Sequence, residues 1–141
     1  MHITIEALDP IGYPLVNRFY RDLSYPAKAG RDDIVWVARQ SSSIVGALVL
    51  VPQGDACMWL RGMVIAPSSR TQGVGAALLQ QCLTELVGVS CYCFPFVQLQ
   101  AFYQQAGFRV IESDQLPTAY LRGAFSSYCQ QGKSLLVMVY P

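Results

Sequence analysis

Charge is scarce in this chain. Asp, Glu, Lys and Arg make up only 13% of its 141 residues, hydrophobic residues 52%, and the formal net charge is +1. The ten Lys and Arg residues are scattered singly, so the basic footprint that nucleic-acid binding needs is missing. Histidine occurs once, at His2. A Ser-His-Asp or Cys-His apparatus needs an imidazole held in place, and position 2 is rarely so held; hydrolase and cysteine-protease readings fall away. Cysteines stand at 57, 82, 91, 93 and 129 with no C-x-x-C pair and no second histidine, so no metal site is expected. Reduced, mostly buried thiols are the simplest reading. No apolar run reaches the roughly 18 residues of a spanning helix. Met1 to Glu6 reads as a short alternating strand and not as a signal peptide. A cytoplasmic chain with no membrane partner is expected.

What is present is a continuous pattern without linker or repeat, read as one domain over residues 1–141. Residues 3–8 form an opening strand. Pro14 starts a helix with Leu15, Val16, Phe19, Tyr20 and Leu23 at helical spacing. Ser24 to Asp32 is a loop. Asp33–Ala38 and Ile44–Val51 are apolar strands parted by Ser41-Ser42-Ser43, as in a hairpin. Gln53-Gly54-Asp55 turns the chain into a strand over Cys57–Ile65. A helix over 72–87 buries Val74, Leu78, Leu79, Cys82, Leu83 and Leu86, with Gly88 as its C-cap.

Val89–Phe94 is a strand, with Cys91 and Cys93 on one face. A helix over 97–106 has Leu99, Phe102, Tyr103 and Ala106 as its stripe and stops at Gly107. Phe108–Glu112 is strand-like. Pro117 opens a helical segment, 117–130, and Ser134–Tyr140 closes the chain as a strand. Strands alternating with helices and flanked by hairpins indicate an α+β mixed sheet.

The most informative stretch is Met63-Val-Ile-Ala-Pro-Ser-Ser-Arg-Thr-Gln-Gly-Val-Gly-Ala-Ala-Leu78. A buried strand breaks at Pro67, crosses a glycine-bearing turn and enters an amphipathic helix. A helix start carries unsatisfied N–H donors and roughly half a positive charge, which suits a phosphate. Arg70 stands beside it, and Gly73 and Gly75 let the backbone approach an anion. A Walker loop needs Lys then Ser or Thr after its second glycine, whereas Ala76 and Ala77 follow Gly75. A dinucleotide fingerprint needs a third glycine that this chain lacks.

Arg70-x-x-Gly73-x-Gly75, after the strand exit Ile65-Ala66-Pro67, resembles the acyl-CoA signature of the GNAT family of N-acyltransferases. Ala101-Phe-Tyr-Gln-Gln-Ala-Gly-Phe108 is similar to the family's Phe-Tyr-x-x-x-Gly-Phe element. Ile44-Val-Gly-Ala-Leu48 is similar to the strand before the CoA strand, so the likeness covers residues 44–108.

The resemblance implies a GNAT-like, mostly antiparallel sheet flanked by helices, in the order β-α-β-β-β-α-β-α-β-(α)-β. It implies acetyl-CoA as acyl donor, no metal, and a small-molecule or protein amine as acceptor. Backbone at Met63, Val64 and Ile65 would bind the pantetheine arm. Arg70, Thr71, Gln72, Gly73, Val74, Gly75 and Ala76 would hold the pyrophosphate. Tyr103 would be the general acid, with Phe102 beside it. The family's frequent asparagine before the Phe-Tyr helix is replaced by Phe96, which leaves Gln98 as a substitute cofactor contact.

The family often has a carboxylate on the CoA strand. Here Trp59-Leu60-Arg61-Gly62 carries none, so no base is assigned. That gap keeps a second reading open: a non-catalytic, acyl-CoA-binding regulatory module. Arg61 is a candidate handle for a substrate carboxylate, and Trp36, Tyr25 and Trp59 are candidates to line an acceptor cleft. The 117–130 segment is a candidate lid, or a homodimer face through Tyr120, Phe125 and Tyr128.

Overall fold

The computed structural model describes residues 2–54 and 56–141; Met1 of the expected first strand and Asp55 of the expected 53–55 turn lie outside them. Among the described residues seven strands and four α-helices follow one another as β1 (Ile3–Ala7), α1 (Tyr13–Asp22), β2 (Ile34–Gln40), β3 (Ser43–Pro52), β4 (Cys57–Ile65), α2 (Val74–Thr84), β5 (Ser90–Cys93), α3 (Gln100–Gln105), β6 (Arg109–Ile111), α4 (Ala119–Gln130) and β7 (Val137–Tyr140). The order and the mixed α+β class are those the sequence predicts. The chain divides into two compact units, 1–89 and 90–141.

In the first unit β1, β2, β3 and β4 are successive antiparallel neighbours. Successive residues of a strand point to opposite faces. Val35 and Val37 pack with Val16 and Tyr20 of α1, while Ala38 packs with Val74 of α2, so the two helices cover opposite faces. A register shift after Ala38 leaves Val45 as an extra residue of β3 and turns it to the α2 side.

Both helices of the first unit depart from expectation for identifiable reasons. In α1 the buried line is Tyr13, Val16 and Tyr20, spaced i, i+3, i+7, and Leu15 is 54% exposed on the other side. In α2 the helix is shorter than 72–87. Gly73 has φ +77, outside the helical region, and the chain leaves the helix at Glu85. Leu86 is therefore half-buried beyond the helix, and Gly88, at φ +71, belongs to a following turn and is not the C-cap.

In the second unit β7 lies between β5 and β6, antiparallel to both, and Val137, Met138 and Val139 are all buried. Cys91 and Cys93 share the buried face of β5. The expected 97–106 helix divides into a 3-10 turn, Val97–Leu99, and α3. The tighter repeat of that turn rotates Leu99 away from the stripe, and it is 42% exposed. Thr118 caps α4 by accepting from the Leu121 N–H at 3.1 Å. Rings from α4 close over β5: Phe94 meets Phe125 edge-on at 5.2 Å and Tyr128 at 6.5 Å. Of the three aromatics of the candidate homodimer face, Phe125 and Tyr128 pack on Phe94 and are half-buried, and Tyr120 is 64% exposed.

Candidate functional site

β4 carries the backbone that the sequence assigns to the pantetheine arm, and it is not a regular strand. Ala47 pairs with Val64 and Val49 with Arg61, so Gly62 and Met63 together oppose Leu48. This is a bulge on β4, and Gly62 takes φ +64 there. The Tyr20 hydroxyl donates to the Gly62 carbonyl oxygen at 2.6 Å. Beyond the bulge Val64 turns into the α1-side core, while Met63 and Ile65 are half-buried.

After β4 the chain passes through a 3-10 turn at Pro67–Ser69 and reaches Arg70. Arg70 Nε donates to the carbonyl of Ile65 at 3.0 Å, which folds the loop back on the strand end. No carboxylate pairs with Arg70 among the described residues. Thr71, at φ +67, donates its hydroxyl to the Arg70 carbonyl. Gln72 is exposed and makes only a 3.5 Å contact to the Ser68 carbonyl.

Gly73 then opens α2 without any capping side chain. The first intrahelical bond runs from the Ala77 N–H to the Gly73 carbonyl at 3.1 Å. The N–H groups of Val74, Gly75 and Ala76 precede it and point out of the helix start. Val74 buries its side chain at 3% exposure, so it anchors the turn while its N–H faces outward. A Cβ at Gly73 would meet nothing within 4 Å. That open space leaves room for an anion, and the positive φ that swings the chain into the helix is a second reason for glycine here. Uncapped donors, the helix dipole and an arginine without a carboxylate partner form a setting for a phosphate group.

Tyr103, Phe102 and Gln98 belong to the second unit. Tyr103 is buried in α3, edge-on to Phe102 at 5.2 Å and to Phe108 at 5.4 Å. Phe108 in turn meets Tyr140 of β7 at 5.5 Å. Gly107, at φ +106, is where the chain doubles back so that Phe108 can reach Tyr103; a Cβ there would lie 2.9 Å from the Tyr140 ring. Gln98 is exposed in the 3-10 turn before α3.

The acceptor-side candidates divide between two faces. Arg61 stands opposite Val49, on the α1 side of the sheet. Its Nη2 donates to the Lys28 carbonyl at 3.0 Å and lies 3.5 Å from Asp33 Oδ2, and its guanidinium is 5.9 Å from the Trp59 ring centre. Tyr25 is on the same side, stacked on Tyr20 at 5.9 Å. Trp36 lies between Val35 and Val37 in β2 and so faces the α2 side. The structure does not bring Trp36 and Arg61 together.

Tyr20 and Gly62 are the site residues that sequence reasoning missed. Gly62 was legible in principle, because a lone glycine inside a strand pattern marks a bulge or a close approach. Tyr20 was read only as one more apolar helix position. Among the described residues no group of three His, Cys, Asp or Glu could hold a metal, and no helix is long and apolar enough to cross a membrane.

A family model described as an acetyltransferase (GNAT) domain matches residues 31–110. No curated protein sequence matches the chain. Among solved structures it is similar to the ribosomal-protein-S18-alanine N-acetyltransferase of Escherichia coli, at 17% identity and TM-score 0.73, covering 99% of this chain and 94% of that one. The IAA acetyltransferase of Bacillus cereus ATCC 14579 is similar at 18% identity and TM-score 0.68, covering 99% of both chains. N-acetylglutamate synthase from Neisseria gonorrhoeae, complexed with coenzyme A and N-acetyl-glutamate, is similar at 15% identity and TM-score 0.69, covering 99% of this chain. This chain spans only 35% of that synthase. At these identities the likeness is one of fold.

Proposed function

The chain belongs to the GNAT family of acetyltransferase domains, and on that premise we propose that it is an acetyl-CoA-dependent N-acetyltransferase. It acts as one domain over residues 1–141, on a primary amine of a small molecule or a protein, by direct transfer in a ternary complex. The observation that carries this reading is the start of α2. Its N–H groups are uncapped by any side chain, and Gly73 and the Ile65-tethered Arg70 lead into it. Such a cradle fits a pyrophosphate. In this reading Arg70 to Ala76 hold that group, backbone at Met63, Val64 and Ile65 binds the pantetheine arm, and Gln98 and Phe102 are further cofactor contacts. No metal takes part.

Bound acetyl-CoA supplies an activated acyl carbonyl and a thiolate leaving group. Backbone N–H groups of the Met63–Ile65 run donate to the carbonyl oxygen as negative charge builds on it. The Tyr103 hydroxyl gives its proton to the departing sulfur; a phenol, with a reference pKa of about 10, is matched to that task. With no acid on Trp59-Leu60-Arg61-Gly62, the attacking amine loses its proton to solvent. Arg61 is the proposed acceptor contact; Trp36, on the opposite face of the sheet, does not share an acceptor with it. Free, mostly buried cysteines are consistent with a cytoplasmic setting.

The same acid-free strand favours a second reading, an acyl-CoA-binding regulatory module without turnover. Incubating the protein with acetyl-CoA and a panel of amines, and following free thiol, separates the two. Amine-dependent thiol release is expected. CoA binding with no release across the panel would establish the regulator, and no thermal shift with CoA would sink both readings.

A further inference from the structure

The bulge in β4 is held by a side chain that the reading above leaves without a role. Tyr20, in the last turn of α1, is fully buried, and its hydroxyl donates to the Gly62 carbonyl at 2.6 Å. The Tyr25 N–H donates to the Tyr20 carbonyl at 2.9 Å, and the two rings stack. A Cβ at position 62 would lie 3.0 Å from the Tyr20 hydroxyl and 3.2 Å from Ala27 Cβ, so the helix, the loop after it and the bulge meet over a bare backbone. Burial, then the neighbouring Tyr25, raise the Tyr20 phenol above its ordinary range, and its hydroxyl stays a donor.

A peptide group is planar and trans, and its C=O and N–H point in opposite directions. Holding the Gly62 oxygen toward Tyr20 therefore turns the Met63 N–H to the other side. It also sets the direction in which the Met63–Ile65 run begins.

We propose that Tyr20 is a positioning residue for acyl transfer: by holding the Gly62 carbonyl it fixes the Gly62–Met63 peptide plane and aims the Met63 N–H at the acyl carbonyl oxygen. The role rests on the acyltransferase reading of the same strand. It asks nothing of the pyrophosphate cradle, so donor affinity and turnover respond differently when it is lost.

The test uses the full chain. Tyr20→Phe keeps the ring and removes the donor. Its kcat for thiol release is expected to fall about 10- to 100-fold, as for a small misplacement of a catalytic group, while the Kd for CoA stays within about twofold. Tyr20→4-aminophenylalanine restores an N–H donor at the same place and should recover most of the lost kcat. An unchanged kcat in Tyr20→Phe, or a fall matched by equal weakening of CoA binding, overturns the proposal. A second measurement needs no Tyr20 variant. In wild-type protein labelled with 15N-methionine, the Met63 amide, assigned through Met63→Leu, should shift further with acetyl-CoA than with CoA, since both carry the pantetheine arm and only one the acyl carbonyl. Equal response to both ligands overturns the proposal even where Tyr20→Phe does not fold. A wild type that releases no thiol with any amine defeats the acyltransferase reading and this role together. A wild type that turns over, matched by Tyr20→Phe, removes the Tyr20 role alone.

Discussion

Arg70 Nε donates to the carbonyl oxygen of Ile65 at 3.0 Å, which leaves the two terminal nitrogens of the guanidinium for another partner. One side chain thus closes the loop onto the strand and presents charge beside the start of α2. The planar fork of arginine is pre-organised to do both. Arg70→Ala should weaken CoA binding about tenfold or more, corresponding to a charge-assisted bond of roughly 1.5–3 kcal/mol. Arg70→Lys should recover only part of this, because an ammonium is a point charge on a flexible stem and lacks the planar guanidinium fork. Calorimetric titration with CoA at two salt concentrations checks both variants, and wild-type affinity in Arg70→Ala would exclude the contact.

Tyr103 sits edge-on to Phe102 and Phe108, contacts that a phenylalanine would keep. Tyr103→Phe keeps those ring contacts and is expected to bind CoA with near wild-type affinity. Its kcat should fall about 10²-fold, the scale of general acid catalysis. Full turnover in the variant would remove Tyr103 from the chemistry.

Gly73 has φ +77 with open space where a Cβ would go. The cost of Gly73→Ala is then purely one of backbone, about 1–2 kcal/mol, and Gly73→Asn should lose less because Asn visits this region more readily. Thermal melting should show Ala below Asn and both below wild type, by roughly 4 °C per kcal/mol. Equal melting temperatures for all three would show that the φ does not matter.

Cys57, Cys82, Cys91 and Cys93 are buried and Cys129 is exposed, so a thiol reagent should modify Cys129 quickly in native protein and the others only on unfolding. Burial pushes the Cys82 thiol up to about 12 from an ordinary 9.0. Between those values the unfolded chain loses a proton that the folded one keeps, so stability falls as pH rises from about 9 toward 12. Burial and Cys91 raise Cys93 in the same direction. Denaturant titrations from pH 8 to 11 should show the decline, with a shallower slope in Cys82→Ala; equal slopes would contradict it.

The elements themselves were legible because each rests on local pattern. β4 runs over the predicted Cys57–Ile65, and β2 and β3 form the predicted hairpin. The errors lie where backbone conformation outweighs hydrophobic spacing. Gly73 excludes Gln72 from α2, a 3-10 turn takes Leu99 out of the stripe, and Tyr13 replaces Leu15 on the buried line of α1. Phe125 and Tyr128 pack on Phe94, a contact between segments that no local spacing shows.

By itself the sequence determined the element order, the α+β class and the glycine-bearing turn that leads from Arg70 into α2. Those depend on residues near one another in the chain, whose periodicity, glycines and prolines act locally. Tertiary structure alone decided how β4 is shaped. Tyr20 and Gly62 are 42 residues apart, and only the packing of α1 on the sheet lets a hydroxyl reach that carbonyl. It likewise tethered Arg61 to Lys28 and Asp33, and put Trp36 on the opposite face. A hydrogen bond between distant segments exists only once the core has closed around it, and no spacing in the sequence encodes its direction.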